Sequence, residues 1–282
     1  MNPPAAIEEA AMHCGTTVGV HGILDRHPWL ASGDQDELCA SVLDLALVRV
    51  DAYGWHAPHG WRTRTGKKLF HVPDRWLDCD KGGDWSGRNQ IGELAWMLAY
   101  VPEDARQPRL PVLPMTRTLV DALDRVGTVT FTALQAYLPL QITAGDATDD
   151  FDDMREWFSL ASPAASVDIH VTVSAAPSRA WEPPDEAARV RDAVQERLGA
   201  AAEAEIASSA DTSRVPGRAQ TRSPLEGARR TAHFVCHARE WTPDVAVWLV
   251  EVTGDALRAT GHSAPVVVTV SSTALMPGVG RT

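Results

Sequence analysis

The sequence predicts an α+β fold, a mixed β-sheet with flanking helices in a two-layer sandwich, built as one domain or as two α+β halves. Three observations carry this. Residues 166–175 alternate cleanly, with Val167, Ile169, Val171 and Val173 on one face and Asp168, His170 and Thr172 on the other, the period-two pattern of a half-buried strand. The stretches opening at Pro183-Pro184-Asp185-Glu186 and at Thr242-Pro243-Asp244 carry helix-start chemistry, with proline at the first positions, acids beside the exposed N–H groups and Thr242 as N-cap. Strands and helices then follow one another as β-α-β-α-β, an order that lays helices on a sheet.

From the N-terminus, residues 36–50 read as a helix with Leu38, Val42, Leu45 and Ala46 on one face. Residues 53–92 are irregular and rich in Trp, His and Gly. Residues 94–101 form an apolar strand, and Pro108, Pro111 and Pro114, recurring every third residue, favour an extended connection. A helix over 116–126 carries Leu119, Leu123 and Val126 and stops at Gly127. Residues 128–140 read as a strand, and 143–156 as an acidic break. This break separates an N-terminal α+β region, 1–145, from a C-terminal β-α-β-α-β region, 151–282. Within the latter, Val190, Val194 and Leu198 form one helix stripe, and 208–229, rich in Ser, Arg, Pro and Gly, a mobile loop. Residues 231–236 form a strand. Val245, Trp248, Leu249, Val252 and Ala256 then line a helix that Gly261 ends, and 266–271 form a last strand.

Composition narrows the function. With 44% hydrophobic and 22% charged residues among 282, the chain is globular, and its net charge of −11 argues against a nucleic-acid binder and against a binder of anionic membranes. Three lysines (Lys67, Lys68, Lys81) stand against 23 arginines, the bias of a high-GC bacterial or viral genome, so arginine-rich stretches carry little weight as phosphate sites. Cys14, Cys39, Cys79 and Cys236 form no Cys-x-x-Cys pair. The sequence shows neither a signal peptide nor an apolar run of the roughly 20 residues that a membrane span needs, and a cytoplasmic location is expected.

One segment echoes a known chemistry. In His237-Ala238-Arg239-Glu240-Trp241 an apolar strand ends in His-x-x-Glu-Trp and a helix follows. This resembles the first zinc-ligand motif of the metallocarboxypeptidases. The resemblance implies His237 and Glu240 as metal ligands, zinc as cofactor, and a metal-bound water as nucleophile of a hydrolase. It is confined to this segment. The only later histidine is His262, so a third ligand would come from His56, His59 or His262. The same five residues also read as a plain strand-to-helix turn, with Trp241 in the core and Thr242-Pro243-Asp244 as the cap.

The second feature is aromatic density. Four of the ten tryptophans lie between positions 55 and 85, with His56 and His59 among them. Trp55, His56, His59, Trp61, Trp76 and Trp85 can form a flat surface for a protein partner or a small ligand. They can equally plug a small loop-rich core, and His56 and His59 with Asp78 or Cys79 can hold a metal. Asp149-Asp150-Phe151-Asp152-Asp153 matches the Asp-Asp-x-x-Asp string of the all-helical terpene and prenyl synthases, a fold that the valine-rich strands contradict, and reads as a solvated run or a helix first turn. The neighbours His13-Cys14 and Cys236-His237 do not by themselves make a catalytic thiol. A Walker loop, a Gly-x-Gly-x-x-Gly and a Gly-x-Ser-x-Gly elbow are all missing. The expected function is therefore a cytoplasmic binding protein without a cofactor that uses the 53–92 segment, the alternative being the zinc-dependent hydrolase.

Overall fold

The computed structural model describes residues 15–30, 35–52, 58–62, 68–73, 77–83, 85, 91–100, 110–142, 148–176, 185–207 and 229–272. In chain order the elements are β1 (Gly15–Arg26), α1 (Gln35–Ala52), β2 (Pro58–Arg62), β3 (Lys68–Pro73), β4 (Leu77–Lys81), β5 (Gly92–Tyr100), α2 (Val112–Val126), β6 (Gly127–Leu138), α3 (Thr148–Ser159), β7 (Val167–Ala175), α4 (Asp185–Leu198), β8 (Glu203–Ile206), β9 (Arg229–Ala238), α5 (Pro243–Ala259) and β10 (Val266–Ser272). A 3₁₀ turn, Leu140–Ile142, follows β6. The chain is α+β, with helices flanking an eight-stranded sheet of order β4-β5-β1-β6-β10-β7-β9-β8. Each neighbouring pair in it is antiparallel. β2 and β3 pair only with each other among the described residues.

The strand order contains the same unit twice. β1-α1-β4-β5-α2-β6 and β7-α4-β8-β9-α5-β10 are both β-α-β-β-α-β, and both run second-third-first-fourth across the sheet, the split βαβ, or ferredoxin-like, arrangement. The bulges repeat as well. β1 slips against β5 after Val20, and β7 slips against β9 after Val173. Val20 faces Leu134 in β6, and Val173 faces Val268 in β10. Matching the bulges therefore makes Leu134 equivalent to Val268, and Gln135 equivalent to Thr269. Gln135 and Thr269 are cross-strand partners, and the Gln135 amide donates to the Thr269 hydroxyl at 3.1 Å. A pseudo-twofold axis thus passes through the β6–β10 seam.

One face of the sheet carries Val18, Val20, Leu134, Ala136, Val171, Val173, Val268 and Phe234. These residues form a continuous core with the helix stripes Met115, Leu119 and Leu123, Val190, Val194 and Leu198, and Val245, Trp248, Leu249 and Val252. α1, α2, α5 and α4 lie side by side in contact as the second layer. Between α4 and α5, the buried Asp255 accepts from Arg197 at 2.6 Å and from Arg258. The opposite face of the sheet carries Ala133, Tyr137 and Val267, which are buried outside that core.

Several elements differ from the sequence expectation. α2 begins at Val112, with Pro114 inside its first turn, where the missing N–H is no loss. The acidic segment is a helix, α3, held by Phe151 and Phe158. On α1 the buried stripe runs through Leu43, Ala46 and Val50, and Leu45 is exposed. Most of 208–229 lies outside the described residues. No described helix is long and apolar enough to cross a membrane.

Candidate functional site

The β7–β9–β8 register builds a cluster around His237. Asp168 is its partner in β7 and Glu203 its partner in β8. The imidazole Nδ1 lies 2.9 Å from Asp168 Oδ1, and Nε2 lies 3.8 Å from Glu205 Oε2. His237 is thus held between two carboxylates at the wall of a recess of about 660 Å³.

The rest of the recess is backbone shaped by local chemistry. α4 ends at Gly199, whose φ of +56° is a left-handed position that suits glycine. The Gln195 amide spans the turn that follows, donating to the Gly199 and Ala202 carbonyls at 2.9 and 3.3 Å while its oxygen accepts from Ala204 N–H at 2.7 Å. This fixes the turn that carries Ala200, Glu203 and Glu205 into the wall of the recess, which Pro163 and Ala165 also line.

α3 is docked beside this opening. Arg239, which lines the recess, donates to the Ser159 carbonyl at 2.6 Å, and Arg155 lies directly over Gly199. The docking buries Phe151 and Phe158 and turns the opposite stripe outward. On that stripe Asp153 and Glu156 are exposed and Trp157 is 66% exposed, and Leu160, in the turn directly after the helix, is 78% exposed. Arg155 is matched by Asp152 and Arg191 by Asp192. Among the described residues that line the recess, the carboxylates are Glu203 and Glu205, with Asp168 joined to them through His237, and the guanidiniums are Arg239 and the Asp192-paired Arg191; Asp153 and Glu156 add acidic charge on the exposed face of α3.

The other half of the metal motif goes elsewhere. Glu240 sits in the half-buried connection between β9 and α5. Trp241 stacks on Phe131 with ring centroids 5.0 Å apart and donates its indole N–H to the Phe131 carbonyl at 3.0 Å. Thr242 caps α5 by accepting from Val245 N–H at 3.2 Å. His262 lies beyond the far end of α5, a 17-residue helix spanning roughly 25 Å, where its Nε2 is 3.4 Å from Glu186. Among the described residues no three His, Cys, Asp or Glu side chains gather to hold a metal ion.

Of the aromatic set, Trp85 is 5% exposed and donates its indole N–H to the Leu94 carbonyl at 2.7 Å, so its ring belongs to the core. His59 and Trp61 lie in β2, opposite Val72 and Phe70, with side chains outside the described residues. Trp55, His56 and Trp76 lie outside them altogether.

Sequence reasoning also missed a buried pair. His21 is 6% exposed on the sheet face away from the helices, with Nε2 4.0 Å from Glu93 Oε1. Glu93 has room because Gly19 lacks a Cβ, which would come within 2.5 Å of its carboxylate. Burial pulls the His21 pKa from 6.5 down to about 4. The ring stack of His170 on His233, centroids 5.6 Å apart, is a second buried histidine feature. The strand register brings His21 opposite Glu93 and sets His170 and His233 on neighbouring strands.

Comparison with protein-family models, with curated proteins and with solved structures returned no match to this chain.

Proposed function

We propose that the chain is a binding protein and that its contact site is the recess beside His237 together with the exposed Trp157 and Leu160 at the end of α3, whose Ser159 carbonyl is bonded to the recess residue Arg239. The observation that carries this is the presence of two large, mostly solvent-exposed apolar side chains on either side of Ser159, the residue that Arg239 ties to a recess with a hydrogen-bonded polar wall. Its volume of about 660 Å³ is that of an ordinary ligand pocket. Tryptophan is a costly group to leave in water and is enriched where interfaces have their energetic centre. Asp168 and Glu205 hold His237 in place, which suits a preorganised recognition wall. The tryptophan-rich segment at Trp55, Trp61 and Trp76 is a further contact candidate, supported by aromatic density alone.

Amide and methyl NMR spectra titrated with a library of small neutral polar fragments test the site. Hits should shift resonances of His237, Ala200, Glu205 and Leu160. Ala200→Trp, placed at an exposed position on the recess wall, should abolish them while leaving the circular dichroism spectrum unchanged. Hits that ignore the recess, or persist in this variant, would remove the reading.

A further inference from the structure

Resting on that binding reading, we infer that the partner is a basic protein, which seats an apolar patch on Trp157 and Leu160 and sends an arginine or lysine side chain into the recess. The first support is geometric. Asp153, Glu156 and Trp157 fall at i, i+3 and i+4, so they share one outward stripe of α3, and the exposed Leu160 follows in the turn directly after the helix. This is the spacing with which helices present anchors to a partner's groove.

The second support is charge. Asp153, Glu156 and Glu203 have no cationic partner among the described residues, and Asp168 and Glu205 share only His237. Arg239 donates to the Ser159 carbonyl and makes no ion pair with these carboxylates among the described residues, and Arg191 is paired with Asp192, so the carboxylates outnumber the two guanidiniums of the recess. A guanidinium or ammonium entering the recess beside His237 would meet Glu203 and Glu205, while its aliphatic stem could lie along Pro163 and Ala165. A second copy of this chain fits poorly, since it would set the same carboxylates against one another, and the net charge of −11 extends that repulsion over the molecule.

The test uses the full chain and two capped hexapeptides, one alternating leucine with arginine and one alternating leucine with glutamate. Calorimetry and NMR shift mapping would be run at low and high salt. The arginine peptide should bind saturably at the recess and more weakly as salt rises. The affinity should fall about tenfold or more in Trp157→Ala, and likewise in Glu203→Gln/Glu205→Gln. Equal binding of the glutamate peptide, or arginine-peptide binding indifferent to both variants, overturns the inference. So does a concentration-dependent dimer in sedimentation that Trp157→Ala dissociates, since a second copy would then be the occupant. If neutral fragments occupy the recess but the arginine peptide does not, the basic partner is wrong and the binding site stands. If neither binds there, both fall.

Discussion

At the scale of single residues, His21 has the clearest physical consequence. Its imidazole is held neutral by burial, with a pKa of about 4 where the unfolded chain titrates at 6.5. Between those values the unfolded state takes up a proton that the native state refuses. Native stability is therefore complete above pH 6.5 and falls as pH drops toward 4, by on the order of 3 kcal/mol at most from this group. His262, also lowered by burial, acts in the same direction. Urea unfolding followed from about pH 7 to about pH 4.5 should show this loss, and His21→Gln should flatten it. An unchanged slope in that variant would mean that the imidazole accepts its proton in place. Residue roles were the least legible part of the sequence. His237-Ala-Arg-Glu-Trp is conspicuous as a string, yet its members serve different ends. His237 is bonded across the sheet to Asp168, Trp241 covers Phe131, and the cap belongs to Thr242. Trp85, one of a cluster that reads as a surface, is core because its N–H finds the Leu94 carbonyl. For His237 and Trp241 the partners lie 69 and 110 residues away in the chain, beyond the reach of a local pattern.

At the scale of elements, local chemistry is a better guide. The stripe of α5 and its Thr242 cap are as the sequence expects, and Gly261, at φ +93°, follows the helix end. β1 is one of the strands that pattern hides, as are β2, β3, β4 and β8, and in β1 Gly15, Gly19 and Gly22 break the alternation. The reason is steric. A Cβ on Gly22 would stand 2.3 Å from the Thr130 carbonyl oxygen, so the close β1–β6 approach requires glycine there. The contact between α4 and α5 depends on Asp255, whose carboxylate is buried between Arg197 and Arg258. Asp255→Ala would leave Arg197, itself only 13% exposed, without its counter-charge and should cost about 3–5 kcal/mol. Chemical denaturation of that variant beside Asp255→Asn, which keeps an acceptor, measures this. A loss below about 1 kcal/mol in Asp255→Ala would show the pair to be effectively solvated.

At the scale of the whole molecule, the expected division near 143–156 falls at the junction of the two β-α-β-β-α-β units, which nonetheless share one sheet and one core. The repetition is invisible in the amino-acid sequence because topology, register and bulge position repeat while the side chains do not. Gln135 and Thr269 occupy equivalent places with different chemistry. With hydrophobic contact continuous across the β6–β10 seam, calorimetry should give a single heat-absorption peak whose calorimetric and van't Hoff enthalpies agree. Two resolved peaks would mean that the seam opens before either unit melts.

That seam also bears on how the chain is made. β6 leaves the ribosome more than a hundred residues before β10, the strand that covers its free edge. At typical elongation rates the nascent first unit spends roughly 10 seconds with that edge open, a ready template for another chain. Any truncation that removes β10 would make that interval permanent and leave the fragment prone to pair through β6 with its own copies.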